Sequence, residues 1–435
     1  MLLRRFRQKE ENMEYIPRIA DDMLKKKLSA KGAVLVEGAK WCGKTTTALQ
    51  QAGSVLYMQD PDRLTQNLEL ARLKPSRLLQ GQTPRMIDEW QMAENLWDAV
   101  RFEVDRRNER GQFILTGSAV PPDLNKISHT GTGRIARLKM RPMSLYESGE
   151  SDGSVSLSEL FSASDDVSGE SRAELEDIAY YICRGGWPGA MGLERDIALE
   201  QAIDYYDAVV SADISRVDNV SRDEQRTRKL LRSYARSVGS QAAMTSIRGD
   251  MISDDAQTLS DDTVSSYIAA LRKIFVIEDS PAWNPNLRSK TAIRTSATRY
   301  FTDPSIAAAA LGIGPEDLLN DLETMGLFFE NLCIRDLRVY AQAIGGSIYH
   351  YRDKNGLECD AVVHLRNGRY GLIEIKLGGE NLINEGAKTL AKLSANLDTS
   401  RMETPSFCMI LTAVGNYAYK RDDGILVVPV TCLKV

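Results

Sequence analysis

Along the first third of the chain, short apolar runs alternate with longer stretches whose apolar residues recur every three or four positions. The run AVLVEG at 33–38 is β-branched and closed by glycine, which predicts a buried strand. Similar runs at 54–58, 85–88 and 112–116 predict three more strands. Helical spacing fills the intervals, over 15–28, 45–52, 62–80 and 96–107. Strands that alternate with helices predict a parallel sheet covered on both faces. RLKMRPMS at 137–144 closes this α/β unit, assigned to residues 15–146 behind an N-terminal extension, 1–14.

The rhythm then breaks. Serine, glycine and acidic residues dominate 147–171, so 147–172 is expected to be a polar linker or mobile insertion. Helical spacing returns over 173–310. There the segment 223–250, a helix over 261–273 and IFVIEDSPAW at 274–283 predict a winged-helix-like arrangement, helices followed by a short hairpin. From 311 to 435 the order changes again. A helix over 321–344 precedes strands near 347–352, 358–365 and 369–376, then a helix over 381–397 and strands at 406–412 and 424–430. That is a second α/β unit.

Composition narrows the function classes. A chain of 435 residues exceeds one ordinary core, so two or three domains are expected. The 43% hydrophobic and 26% charged fractions are those of a soluble globular protein. No apolar run reaches the roughly 18 residues of a membrane span, and MLLRRFRQKEEN lacks the apolar stretch of a secretory signal. Six scattered cysteines form no CxxC pair and are expected to be free thiols in the cytoplasm. Three histidines argue against a histidine-built zinc site. The net charge of −5 offers no global attraction to nucleic acid, which leaves only a local basic surface for DNA.

The most specific chemistry lies after the first strand. Gly38, Ala39, Lys40, Trp41, Cys42, Gly43, Lys44 and Thr45 satisfy GxxxxGK[ST], with Thr46 next in line. The glycines allow a tight turn whose amides face phosphate oxygens. Lys44 adds a positive charge between the β- and γ-phosphates, and the Thr45 hydroxyl coordinates Mg²⁺. The motif follows a predicted strand and opens a predicted helix, the context this chemistry requires. ATP and Mg²⁺ are the expected ligands, and a P-loop NTPase sheet is the expected fold.

Such a site needs an acid on a second strand to position the metal and a base for the attacking water. Met86-Ile87-Asp88-Glu89 supplies both, Asp88 for Mg²⁺ and Glu89 for water. Pro84 and Arg85 make that strand shorter and less apolar than usual. FILTGS at 113–118 places Thr116 and Ser118 at the next strand end, either as contacts to the γ-phosphate or water, or as helix-cap and turn hydroxyls. Arg134, Arg137 and Arg141 follow. An arginine would stabilise transferring phosphate charge from its own chain or from a neighbouring subunit. Arg134, after the small run at 131–133, is the first choice, although three arginines in eight residues equally describe a solvated strand face.

With IPRIADDML (16–24), GAKWCGKTTTA (38–48), MIDEW (86–90), ILTGSA (114–119), GRIARLKMRPMSLYE (133–147) and GGWP (185–188), the chain resembles a widespread group of prokaryotic ATP-binding proteins. These join an AAA-type ATPase domain to a C-terminal domain of unassigned function. The resemblance implies ATP binding and hydrolysis. An AAA-type domain also suggests a homo-oligomeric ring, which no segment of this sequence demonstrates.

In the C-terminal unit, LECDAVVHL (357–365) and YGLIEIKLG (370–378) supply Asp360, Glu374 and Lys376 on neighbouring predicted strands, with Glu330 on the helix before them. This resembles the PD-(D/E)xK restriction-nuclease fold. There a hairpin brings two carboxylates together around Mg²⁺, and the lysine two residues along the strand orients or activates water. ExK alone arises by chance about once or twice in a chain this long, so its weight rests on the surrounding elements. A structural ion-pair network in a fold that no longer cuts is the other reading. In the middle region, Arg226, Arg228, Lys229, Arg232 and Arg236 partly share one helical face and would meet DNA there, or solvent.

The leading expectation is an ATPase whose nucleotide state controls the C-terminal module, on DNA. Its rivals are a nucleotide-switched interaction protein with an inactive nuclease-like scaffold, and an ATP-gated, Mg²⁺-dependent DNA nuclease.

Overall fold

The computed structural model describes residues 15–118, 131–162, 167–218, 220–252, 260–285, 296–398 and 402–435. The expected extension 1–14 lies outside them. Helix α1 (Ile19–Ala30) turns Leu24 and Leu28 inward, four residues apart on one face. Strand β1 (Ala33–Glu37) follows, buried over its first four residues. Then come α2 (Lys44–Leu49), β2 (Ser54–Tyr57), α3 (Leu64–Leu73), β3 (Arg85–Asp88), α4 (Asn95–Arg107), β4 (Phe113–Gly117) and β5 (Ile135–Lys139). The helix expected over 62–80 stops at Leu73, and Pro75–Arg77 forms a 3₁₀ turn instead. Proline lacks the amide hydrogen a continuing helix needs and disfavours helical backbone at the residue before it.

The five strands are parallel, in the order β2-β3-β4-β1-β5. Register sets Glu37 beside Gly117 and Lys139, and Asp88 beside Thr116. All the carboxyl ends of these strands therefore meet at one edge of the sheet, where ligands of open α/β sheets bind.

Beyond this sheet lie β6 (Val155–Ser156), α5 (Leu157–Leu160) and β7 (Gly169–Glu170). The middle region follows with α6 (Leu175–Arg184), α7 (Arg195–Ala208), a π-helical turn (Val209–Asp213), α8 (Glu224–Arg236), α9 (Met244–Ile252), α10 (Asp261–Lys273), α11 (Pro304–Leu311) and α12 (Pro315–Asn320). Antiparallel bridges join Ile277 to Phe301 and Ser280 to Thr298, so a short paired ribbon does follow α10. The remainder is α13 (Leu322–Ala343), β8 (Gly346–Arg352), β9 (Glu358–Leu365), β10 (Tyr370–Lys376), α14 (Glu380–Asn396), β11 (Phe407–Thr412), β12 (Tyr417–Lys420), β13 (Leu426–Pro429) and β14 (Leu433–Lys434).

A seven-stranded mixed sheet, β7-β12-β13-β11-β10-β9-β8, forms the C-terminal layer. Its strand β7 comes from the segment expected to be a linker. That expectation is corrected here. Val155, Leu157, Leu160 and Phe161 are buried, and β6 pairs in parallel with β14. Its serines bond to the chain's last residues, Ser151 Oγ to Leu433 O at 2.7 Å and Ser156 Oγ to Val435 O at 2.8 Å. A serine-rich segment reads as solvated until a distant backbone arrives to accept its hydroxyls. The expected boundary at 310/311 also falls inside α11. One continuous core runs from Ala39 through Trp187, Tyr205, Tyr234, Phe301 and Phe329 to Leu433, so the middle and C-terminal regions share an interior.

Helix α13 passes through the junction of the three regions. Its buried Arg335 bonds Asp303 at 2.9 Å and Asp336 at 2.8 Å, while Asp336 accepts the Leu145 amide at 3.0 Å. Near its end Gln342 donates to Lys139 O at 3.0 Å. Burial works against the charge on Glu278, but Arg141, Arg338 and Lys139 around it hold its carboxyl well below the usual range.

Candidate functional site

The loop after β1 is shaped by close backbone approach. A Cβ on Gly38 would meet the Met140 carbonyl at 2.0 Å, so no other residue fits there. Gly43 has φ of 96°, in the left-handed region that favours glycine, and caps α2 without a side-chain bond. Lys44 is only 5% exposed, and its Nζ donates to the Ala39 carbonyl at 2.7 Å. Thr45 Oγ1 donates to Asp88 Oδ1 at 2.8 Å, and Thr116 Oγ1 donates to the same oxygen at 2.6 Å. Glu89 accepts from Ser118 Oγ at 3.3 Å and from Gln91 Nε2. Burial pushes the Glu89 carboxyl up; Lys44 draws it down and Asp88 adds to the rise.

The structure thus brings Lys44, Thr45, Asp88, Glu89, Thr116 and Ser118 to one sheet edge. A hydroxyl beside a carboxylate is an oxygen pair of the kind Mg²⁺ takes, so the donor set fits that ion. Arg134 is elsewhere. It precedes β5 at the opposite end of the sheet, its carbonyl accepts the Ala33 amide, and its Nε bonds Asp105 at 2.8 Å. Five strand residues, roughly 16 Å, separate that end from the loop. Arg134 therefore does not serve the site of its own chain, which leaves the neighbouring-subunit arm of the expectation. Arg137 bonds Glu37 at 2.9 Å, and Arg141 bonds Glu278 at 2.9 and 2.8 Å.

Sequence reasoning missed Arg18. Its buried guanidinium donates to the loop carbonyl of Cys42 at 2.8 Å, to Arg141 O at 2.8 Å and to Glu147 at 3.0 Å. Its signals in the sequence were its place immediately ahead of a helix among apolar residues and its presence in IPRIADDML. The outer loop residues face the middle region: Lys40 pairs with Asp213, and Trp41 stands edge-on to Tyr205 with centroids 5.9 Å apart.

In the C-terminal layer, β9 and β10 run antiparallel and place Asp360, Glu374 and Lys376 together. Lys376 Nζ lies 2.8 Å from Glu374 and 3.5 Å from Asp360, and Asp360 accepts the Ile375 amide at 2.7 Å. Glu330 accepts the Tyr300 hydroxyl instead. Burial and the neighbouring Asp360 charge push Glu374 up to about 8 and Glu330 up as well. Among the described residues, no three His, Cys, Asp or Glu side chains are arranged to hold a metal ion. The lysine fills the space between the two strand carboxylates. Glu330 and Asp360 do line one cavity of about 230 Å³, with His350, Arg352 and Glu358. The basic face of α8 is partly spent, Arg228 on Asp207 at 2.9 Å and Arg236 on Asp250 at 3.7 Å.

Residues 30–149 match the family model described as an AAA domain. The N-terminal region is therefore similar to AAA domains, in keeping with its parallel sheet and the loop after β1. Residues 175–317 match "Domain of unknown function (DUF8612)" and residues 325–433 match "Domain of unknown function (DUF4143)". The chain is similar to a solved structure described as the Walker-type ATPase PABY2304 of Pyrococcus abyssi. That likeness has 13% identity and a TM-score of 0.42, covering 69% of this chain and 97% of that one. No curated protein matches the chain. Among the described residues, no helix is long and apolar enough to cross a membrane.

Proposed function

We propose that the chain is a Mg²⁺-dependent ATPase whose nucleotide state acts on the middle and C-terminal regions. One observation carries the reading: Asp88 Oδ1 gathers the hydroxyls of Thr45 and Thr116, with Lys44 and Glu89 beside it. In this reading residues 38–46 hold the triphosphate through loop amides and Lys44. Thr45 and Asp88 would hold Mg²⁺, which would supply positive charge to offset that of the phosphates. Glu89, held by Ser118 and Gln91, takes the proton of the attacking water. A carboxyl raised by burial is a better base than a solvated one. Lys44→Ala is expected to abolish ATP binding or turnover, followed by equilibrium binding and phosphate release. Full retained turnover would remove the reading.

For the C-terminal half we favour a nuclease-like scaffold over a cutting centre, because Lys376 is paired with both strand carboxylates, at 2.8 and 3.5 Å. Wild type and Asp360→Ala would be incubated with single- and double-stranded DNA plus Mg²⁺ or Mn²⁺. Cleavage by wild type that Asp360→Ala loses would overturn this preference in favour of an ATP-gated nuclease.

A further inference from the structure

We propose that Asp213, supplied by the middle region, holds Lys40 away from the nucleotide site, and that a bound nucleoside triphosphate competes with it for Lys40. The inference rests on the nucleotide reading above and names what regulates that site.

The P-loop holds two lysines with opposite commitments. Lys44 is buried and bonded within the loop. Lys40 points outward, 44% exposed along its side chain, to an Asp213 carboxylate that is only 9% exposed. Asp213 ends the π-helical turn Val209–Asp213. Beside that pair, Trp41, with φ of 62°, meets Tyr205, which stacks on Trp187 at 4.2 Å. A Cβ on Gly43 would stand 3.4 Å from Pro188. The loop and residues 187–213 therefore form one packed surface, and its polar tie is Lys40 to Asp213.

A triphosphate on the loop amides brings several negative charges beside this tie. Lys40 is attracted toward them and Asp213 repelled. If Lys40 turns to phosphate, Asp213 is left as an unpaired carboxylate where little water reaches, an arrangement proteins avoid. The π-helical turn, a wide and uncommon ladder often found at functional sites, is the element that must yield. Coupling of this kind is reciprocal: whatever moves the turn changes nucleotide affinity by the same factor.

The test uses the full chain with ATP and Mg²⁺. Affinity is measured for wild type, Asp213→Asn and Asp213→Glu, with hydrogen exchange over 205–217 followed with and without nucleotide. Asp213→Asn, which keeps an acceptor for Lys40 and removes the charge, is expected to bind ATP roughly fivefold tighter or more. Asp213→Glu should return affinity toward wild type. Nucleotide should speed exchange over 205–217 in wild type and leave Asp213→Asn unmoved. Equal affinities with unmoved exchange would overturn the inference while the nucleotide site stood. Weaker binding by Asp213→Asn would also overturn it, since Asp213 would then only prop the loop. Wild type that binds no ATP would sink the nucleotide reading and this inference with it.

Discussion

Thr45 and Thr116 stand on different elements, α2 and β4, yet both hydroxyls donate to one oxygen of Asp88, at 2.8 and 2.6 Å. The second donor leaves Asp88 oriented even when Thr45 turns to another ligand.

Thr116→Val keeps the volume and removes that donor. Asp88 should then be less well held, and the Mg²⁺ concentration for half-maximal ATP turnover should rise severalfold. A Mg²⁺ titration of the turnover rate checks this; an unchanged midpoint would show that Thr116 does not orient Asp88.

Glu89→Gln should keep nucleotide binding and slow hydrolysis on the order of a hundredfold or more, the usual range for a lost general base. Because burial raises the Glu89 carboxyl of the free protein, kcat/KM of wild type should fall on acidification at a pH above the ordinary carboxylate range. The charged form is the base, so a raised pKa removes it earlier as pH drops. Weakened binding with normal chemistry in Glu89→Gln would refute the assignment.

Arg18→Ala strands Glu147, which is 2% exposed along its side chain and also accepts the Ile19 and Ser144 amides. Breaking a buried pair from one side costs about 3–5 kcal/mol. Denaturant unfolding should register a loss of that order, with nucleotide affinity reduced because the Cys42 carbonyl is released. A loss under 1 kcal/mol, within the range of surface pairs, would contradict this account.

Glu278→Gln tests the junction around α13. Burial opposes the Glu278 charge, but Arg141, Arg338 and Lys139 outweigh it and depress the folded pKa. The carboxylate therefore contributes stability that is present above the ordinary carboxylate pKa and is lost as pH falls through the depressed folded value. Glu278→Gln should cost about 3 kcal/mol near neutral pH, a deficit that shrinks on acidification below the ordinary range. Thermal unfolding of both proteins across pH would show the two curves converging; parallel curves would refute the linkage.

The sequence by itself determined the elements that depend on local pattern. The runs predicted at 33–38, 85–88 and 112–116 became β1, β3 and β4, each within a residue of its predicted bounds, and the loop from Gly38 to Thr45 took the turn its glycines permit. The helix over 261–273 and the strand over 358–365 likewise match α10 and β9. These succeed because periodicity and glycine placement act within a few residues of one another. Tertiary structure decided everything that depends on a partner far along the chain. It buried the serine-rich segment against residues 431–435, carried Arg134 to the far end of the sheet, and closed Lys376 over Asp360 and Glu374. It also set Asp213 against Lys40, across 173 residues of chain. A charge or a hydroxyl looks the same in sequence whether water or a distant carboxylate answers it, and only packing chooses between them.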